Sequence, residues 1–198
     1  MSLRLYQNAV DISHNVLASI LCPGDIVLDG TAGNGNDTVF LANLVGKTGK
    51  VYAFDIQEEA LKKTKEKIIN LKIHTHLELI QDGHENLDKY ITSPIKAAVF
   101  NLGYLPGGNK KIITKPESTV LAVQKAMCFL CKKGVISLVI YTGHPGGLEE
   151  WEALKMFLCG LPQSKYDVLT YNYLNRHNCC PFLVIIQSLT SPNIYIGG

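Results

Sequence analysis

The chain of 198 residues is 46% hydrophobic and 18% charged with a formal net charge of +2, which suffices for one sizeable core and falls short of two comfortable domains. No apolar run reaches the ~18 residues of a membrane span, and Arg4, Asp11 and His14 interrupt the start where a secretion signal needs an apolar core. A soluble, cytoplasmic protein with one domain over 1–198 is expected, and its small charge neither demands nor forbids a nucleic-acid partner.

In chain order, NAVDISHNVLASIL (8–21) has apolar residues at helical spacing and is stopped by Pro23-Gly24. Short apolar runs then alternate with helical stretches. The runs are 25–31, 50–56, 77–82, 97–103 and 134–142, followed by 166–174 and 181–189. Helices are predicted near 36–46, 57–70, 84–92, 116–132 and 147–159. This alternation specifies an α/β fold, a Rossmann-like sheet of seven strands with helices on both faces. Only NRHNCC separates the last two strands, too short for a parallel crossover, so they form an antiparallel hairpin.

Six cysteines are scattered among apolar residues. The pair Cys128-x-x-Cys131 falls in a helical pattern without a second pair, so reduced structural thiols are expected rather than a zinc site. His84-Glu85 does not extend to H-E-x-x-H because Asp88 takes the second histidine's place. No metal is expected. His74 and His76 share one strand face as surface groups. Lys62, Lys63, Lys65 and Lys67 alternate with Glu58, Glu59 and Glu66, the pattern of a solvated helix face.

Ligands of open α/β sheets bind at the carboxyl ends of the strands, and here four polar residues stand at four such ends: Asp29, Asp55, Asp82 and Asn101. The first of these precedes the loop GTAGNGNDT. A phosphate-gripping loop would end in Gly-Lys-Ser/Thr, yet no lysine precedes Lys47. A dinucleotide loop needs a third glycine where Thr38 stands, and Asp29 and Asp37 would repel a pyrophosphate. A positively charged ligand suits the loop better, and S-adenosyl-L-methionine, with its ammonium, sulfonium and ribose diol, fits. Asp29 is expected to take the ammonium, directly or through water. Backbone N–H groups from Ala32, Gly33, Asn34 and Gly35 approach the ligand closely. Asp55 accepts the ribose hydroxyls, Asp82, Gly83 and His84 flank the adenine, and Asn36, Asp37 and Thr38 meet the methionine end. The same donor set takes in His14, Thr31, Ile56, Gln57, Asn101, Leu102 and Gly103.

DGTAGNGND, the terminal Asp55, QDGHENL and NLGYLPGGNK, in that order, resemble the class I S-adenosylmethionine-dependent methyltransferases, and more narrowly the small bacterial rRNA methylase family. The resemblance runs from Ile12-Ser13-His14 through YTGHPGG to the final hairpin. It implies an RNA methyltransferase that acts on the 5-aminomethyl group of tRNA wobble 2-thiouridine.

The resemblance also shapes the acceptor side. Asn101-Leu102-Gly103-Tyr104 occupies the place of an Asn/Asp-Pro-Pro-aromatic turn, with Leu-Gly instead of Pro-Pro. Asn101 and a nearby carbonyl would orient an amine, with Tyr104 packing on the methyl donor or the base. His144 is the first candidate to take the amine's proton, with Tyr141 beside it and His14 and His177 in reserve. Pro106, Gly107 and Gly108 shape the substrate turn, although the Gly107-Gly108 and Gly146-Gly147 pairs are equally explained as turn formers. Lys110, Lys111, Lys115, Arg176 and His177 are candidates for phosphate contacts. Two alternatives stay open: a methyltransferase for rRNA or a small metabolite, and a non-catalytic nucleotide-binding scaffold. The apolar C-terminal hairpin offers a homodimer surface.

Overall fold

The computed structural model describes residues 8–103, 114–176 and 180–192. Helix α1 (Ala9–Ile20) starts at Asn8, whose side chain accepts the Asp11 N–H. It is followed by β1 (Ile26–Asp29), α2 (Asn36–Val45), β2 (Lys50–Phe54), α3 (Glu58–Asn70), β3 (His76–Ile80), a 3₁₀ helix (His84–Lys89), β4 (Ile95–Leu102), α4 (Pro116–Phe129), β5 (Leu130–Ile140), α5 (Gly147–Cys159), β6 (Tyr166–Tyr171) and β7 (Phe182–Ser188). The seven strands form one sheet in the order β3-β2-β1-β4-β5-β7-β6. The first five run parallel, whereas β7 lies antiparallel to both β5 and β6, as the short last connection requires.

Alternate strand residues face opposite layers. Val27, Val51, Ala97 and Val99 pack with Leu17 of α1, Leu41 and Val45 of α2 and Ile68 of α3. Leu28, Phe54, Phe100 and Leu138 pack on the other face with Val123 of α4, Leu154 of α5 and Leu87 of the 3₁₀ helix. Helix α1 also covers β5 and β7, where Ala9 meets Val139 and Leu183. Among the described residues no helix is long and apolar enough to cross a membrane.

Two elements differ from the sequence reading. The helix expected over 116–132 ends at Phe129 and β5 begins at Leu130, so Cys131 lies in a strand and not in the helix with Cys128. The cause is a backbone irregularity: Lys133 takes φ +61° and the β4–β5 register shifts between Ile95 and Ala97, which lets four further residues join the strand ahead of Gly134. The stretch expected as a helix over 84–92 forms a 3₁₀ helix over His84–Lys89 instead.

Candidate active site

A cavity of about 730 Å³ opens at the carboxyl ends of β1, β2, β4 and β5, a size that suits a nucleoside-sized ligand. Its near wall is the loop after β1. Gly35 caps α2 at φ +75°, and a Cβ there would come within 2.8 Å of the Thr64 hydroxyl on α3, so both backbone shape and space demand glycine. The loop is tied down from several sides. Ala32 N–H donates to the Phe54 carbonyl (2.8 Å), Gly33 N–H to Asp55 Oδ2 (2.9 Å) and the Thr64 hydroxyl to the Gly33 carbonyl (3.3 Å). Lys67 departs from its expected solvated role, reaching back to the Asn34 carbonyl at 3.3 Å and to the Asn36 side chain. Lys62 and Lys63 do pair with Glu58 and Glu59 on the solvated face.

The strand-end acids sit at different depths. Asp29 is level with Ala53 and Val99, two residues short of Asp55 and Asn101, so it is fully buried beneath the loop. Its Oδ1 accepts the Thr31 N–H (3.1 Å) and its Oδ2 the Thr38 hydroxyl (2.6 Å). Burial, reinforced by the Asp37 charge and opposed by those two donors, pushes its carboxyl up to about 7. Asp55 lies higher. It accepts the Gln57 N–H on Oδ1 and the Gly33 N–H on Oδ2, each at 2.9 Å, and lines the cavity. Each oxygen keeps a lone pair for a ligand. Asp82 is occupied from within by Gly83 N–H, Asn86 Nδ2 and the Tyr90 hydroxyl. Desolvation opposes its ionisation, but these donors outweigh it and hold the carboxyl below its ordinary value.

His84 is 8% exposed on the cavity floor, with Nδ1 at 3.2 Å from the Gly30 carbonyl and its ring edge-on to Phe100. Burial lowers its pKa, so the ring is neutral, its proton sits on Nδ1 facing the carbonyl, and Nε2 is left as an acceptor. Across the cavity, His14 of α1 reaches Asp37 Oδ1 at 2.6 Å while its ring stacks on Phe40 at 3.7 Å. The other Asp37 oxygen accepts from Asn101 Nδ2. Asn101 N–H donates to the Thr31 hydroxyl oxygen (2.8 Å). His144 lies beside Gly103, with Nδ1 at 3.0 Å from the Pro145 carbonyl. Burial, then the Asp37 charge, raises Tyr141 above its ordinary value, so its hydroxyl keeps its proton at neutral pH and is a donor rather than a base.

The cavity thus brings together Thr31, Ala32, Gly33, Asn34, Asn36, Asp37, Asp55, Ile56, Gln57, Asp82, Gly83, His84, Asn101, Gly103, Tyr141 and His144. His14, Asp29, Gly35, Thr38 and Leu102 do not line it. The first four brace the loop or Asp37, and Leu102 belongs to the core. Tyr104, Pro106, Gly107, Gly108, Lys110, Lys111 and His177 lie outside the described residues. Val10, Phe54, Glu85, Thr114 and Ser118 also line the wall without having been expected. Val10 is four residues before His14 and so shares its helix face, a spacing visible in the sequence; nothing comparable marked Ser118.

Comparison with known proteins places the chain in a family. The family model described as "Putative rRNA methylase" matches residues 51–187. The chain belongs to this family, and its fold is that of class I S-adenosylmethionine-dependent methyltransferases. A crystal structure from Clostridium thermocellum, described as a "putative rRNA-methylase", is 46% identical with a TM-score of 0.90, covering 92% of this chain and 98% of that one. A Streptococcus mutans methyltransferase structure in complex with SAH is 43% identical with a TM-score of 0.85, covering 93% and 99%. The chloroplastic tRNA (mnm(5)s(2)U34)-methyltransferase of Arabidopsis thaliana is 38% identical over 180 residues. That match takes in 86% of this chain and 66% of the plant enzyme, so the chain spans about two thirds of that relative's length. A second model, the ubiE/COQ5 methyltransferase family, matches only residues 2–95. This N-terminal half ends where β4 begins and holds the glycine loop, Asp55 and Asp82.

Proposed function

We propose that this protein methylates an amine on an RNA base, the acceptor being the 5-aminomethyl group of wobble 2-thiouridine in tRNA. The observation that carries this reading is the pairing, on one cavity, of the glycine loop and Asp55 with Asn101 at the end of β4. The lining carboxylates Asp37, Asp55, Asp82 and Glu85 favour a cationic ligand, which agrees with S-adenosylmethionine as donor. Asp55 holds the ribose hydroxyls, and Ile56, Gly83 and His84 surround the adenine. The glycine loop lies along the methionine end by close approach of its backbone, its Ala32, Gly33 and Gly35 N–H groups being spent on Phe54, Asp55 and Ala32 instead of on the ligand as expected. When bound, S-adenosylmethionine supplies a methyl group on a sulfonium, which an uncharged amine attacks as the electron pair of the S–C bond leaves on sulfur.

The residues of the chain orient the amine and take its proton. Asn101 holds an amine hydrogen, and His144, beside Gly103, accepts the proton that an alkylammonium must lose first. The N-terminal half is shared with methyltransferases of other substrates, so it supports the donor alone. Support for tRNA comes from the plant relative, whose similarity extends over both halves. Lys115, which lines the cavity, and Arg176, stacked on Tyr173 at 3.5 Å, are the cations this reading assigns to RNA phosphates. The turn that carries Arg176 emerges at the same sheet edge as the site, since β7 starts with Phe182 opposite Ile140, the last residue of β5. A second copy of the chain fits the outer edge strand β6, which exposes Val168, Leu169 and Tyr171, whereas β7 is buried between its neighbours. Light scattering on the purified protein measures that assembly.

The deciding experiment incubates tRNA bearing unmethylated 5-aminomethyl-2-thiouridine with the protein and S-adenosylmethionine, followed by nucleoside mass spectrometry, with Asp55→Ala as control. Gain of one methyl on that nucleoside, absent with the variant, is expected. An unchanged nucleoside together with intact donor binding refutes the acceptor assignment.

A further inference from the structure

We infer that Asp37 is a positioning residue that sets which end of the Asn101 carboxamide meets the acceptor, with His14 holding Asp37 in place. The inference rests on the amine-acceptor reading above. A carboxylate only accepts hydrogen bonds, so the Asn101 atom directed at Asp37 Oδ2 is Nδ2. Because a carboxamide is planar, Oδ1 is then the end left to the substrate, and Asp37 and Asn101 both line the cavity. Orientation matters because an amine nitrogen has one lone pair. If Oδ1 accepts an N–H of the amine, the lone pair stays available for attack. With the carboxamide reversed, Nδ2 would donate to that lone pair and tie up the nucleophile.

Three elements build the device. Asp37 lies in the first turn of α2 and is 8% exposed. One of its oxygens takes Asn101 from β4, and the other takes His14 Nε2 at 2.6 Å from α1. The His14 ring is itself fixed, lying within 5° of parallel on Phe40 at 3.7 Å. Each carboxylate oxygen therefore has its own partner on a separate element, which leaves Asp37 little freedom to turn. The Asn101 backbone is pinned independently by its N–H to the Thr31 hydroxyl, so the remaining freedom at Asn101 is the carboxamide flip that Asp37 removes.

The test compares wild type, D37N, N101D and the exchange variant D37N/N101D for methyl transfer to tRNA bearing 5-aminomethyl-2-thiouridine, and for SAH affinity by calorimetry. D37N is expected to lose kcat by about a hundredfold, the scale of a misplaced nucleophile, with SAH affinity within about threefold of wild type. N101D alone sets two carboxylates against each other and is also expected to be slow. In the exchange variant, a carboxylate at 101 accepts both from the carboxamide at 37 and from the amine, so kcat is expected to return to within about tenfold of wild type. A mere brace between α1 and the sheet predicts no such recovery. Wild-type kcat in D37N overturns the inference, as does a loss of SAH affinity at unchanged kcat, which would make Asp37 a donor ligand. An exchange variant no better than either single one also overturns it. If N101D does not fold, kcat and affinity of D37N decide alone. Methylation by wild type at a site other than an amine nitrogen removes the proposed function and this inference together, an outcome distinct from an active wild type with an equally active D37N.

Discussion

Replacing Asp29 by Asn tests the depth at which the structure buries this acid. The side chain is fully enclosed, and its carboxyl is raised from 3.8 to about 7. Between those values the folded protein holds a proton that the unfolded chain has released, so stability falls as pH rises from about 4 to about 7. A rise of about three units corresponds to at most about 4 kcal/mol at ~1.36 kcal/mol per unit. Asn has the same shape and keeps both contacts: its Oδ1 accepts the Thr31 N–H, and its Nδ2 donates to the Thr38 hydroxyl oxygen. It carries no charge to desolvate and none to repel Asp37. Urea unfolding at intervals from pH 4 to 8 should show the wild type losing stability relative to Asp29→Asn as pH rises. At pH 8 the variant should be more stable by about 1–4 kcal/mol, or several degrees in Tm for a chain of this size. Parallel stability curves, or a variant less stable at pH 8, would refute the reasoning, since either means that the buried carboxylate is ionised and stabilised in the fold.

Asp55→Ala removes the acceptor of two loop N–H groups and the proposed ribose contact; at about 1.5–3 kcal/mol per charged hydrogen bond, SAH affinity should fall at least about tenfold by calorimetry, and an unchanged affinity would exclude Asp55 from the donor site. Gly30→Ala would set a Cβ 2.2 Å from Phe100 Cε1 inside the core, so thermal unfolding should show a loss of about 1–3 kcal/mol. Lys115→Ala should raise KM for tRNA and lower the slope of log affinity against log salt by about one, with kcat retained; a lowered kcat at unchanged KM would place Lys115 in the chemistry instead.

The order of elements could be read from the sequence because parallel strands buried on both faces appear as unbroken apolar runs, and the helices between them have their own period. The start of β5 could not. AVQKAMCFLCKK continues a helical spacing across Phe129 and Leu130, yet the chain turns extended at Leu130 and bends again at a left-handed Lys133 within β5, and no residue type announces either. Within the site, the polar strand ends were visible while their depth was not. Depth depends on register, which places Asp29 beside Ala53 and Val99 instead of beside Asn101. Lys67 looked like its solvated neighbours because a contact between α3 and the glycine loop depends on how the two pack. The same is true of Ser118, whose helix reaches the cavity only through the packing of α4 on the 3₁₀ helix and α5.

The acid lining carries a last consequence for the proposed reaction. Carboxylates at Asp37, Asp55, Asp82 and Glu85 surround a cavity whose cationic side chain, among the described lining residues, is Lys115. A polyanion is repelled from such an interior, so an RNA must keep its phosphates at the rim and insert only a group that tolerates negative surroundings. An aminomethyl substituent does so because it is a cation at neutral pH. The field that draws the ammonium in also raises its pKa, making the unprotonated amine rarer just where it must react. Transfer to an alkyl amine should therefore speed up about tenfold per pH unit below the bound amine's pKa, measured in single turnovers with saturating donor and tRNA. A ring nitrogen or ring carbon carries no proton that must first be lost from a cation, and it would give a flat profile over the same range. A flat profile would thus remove the aminomethyl group as acceptor even if methyl were found on the tRNA.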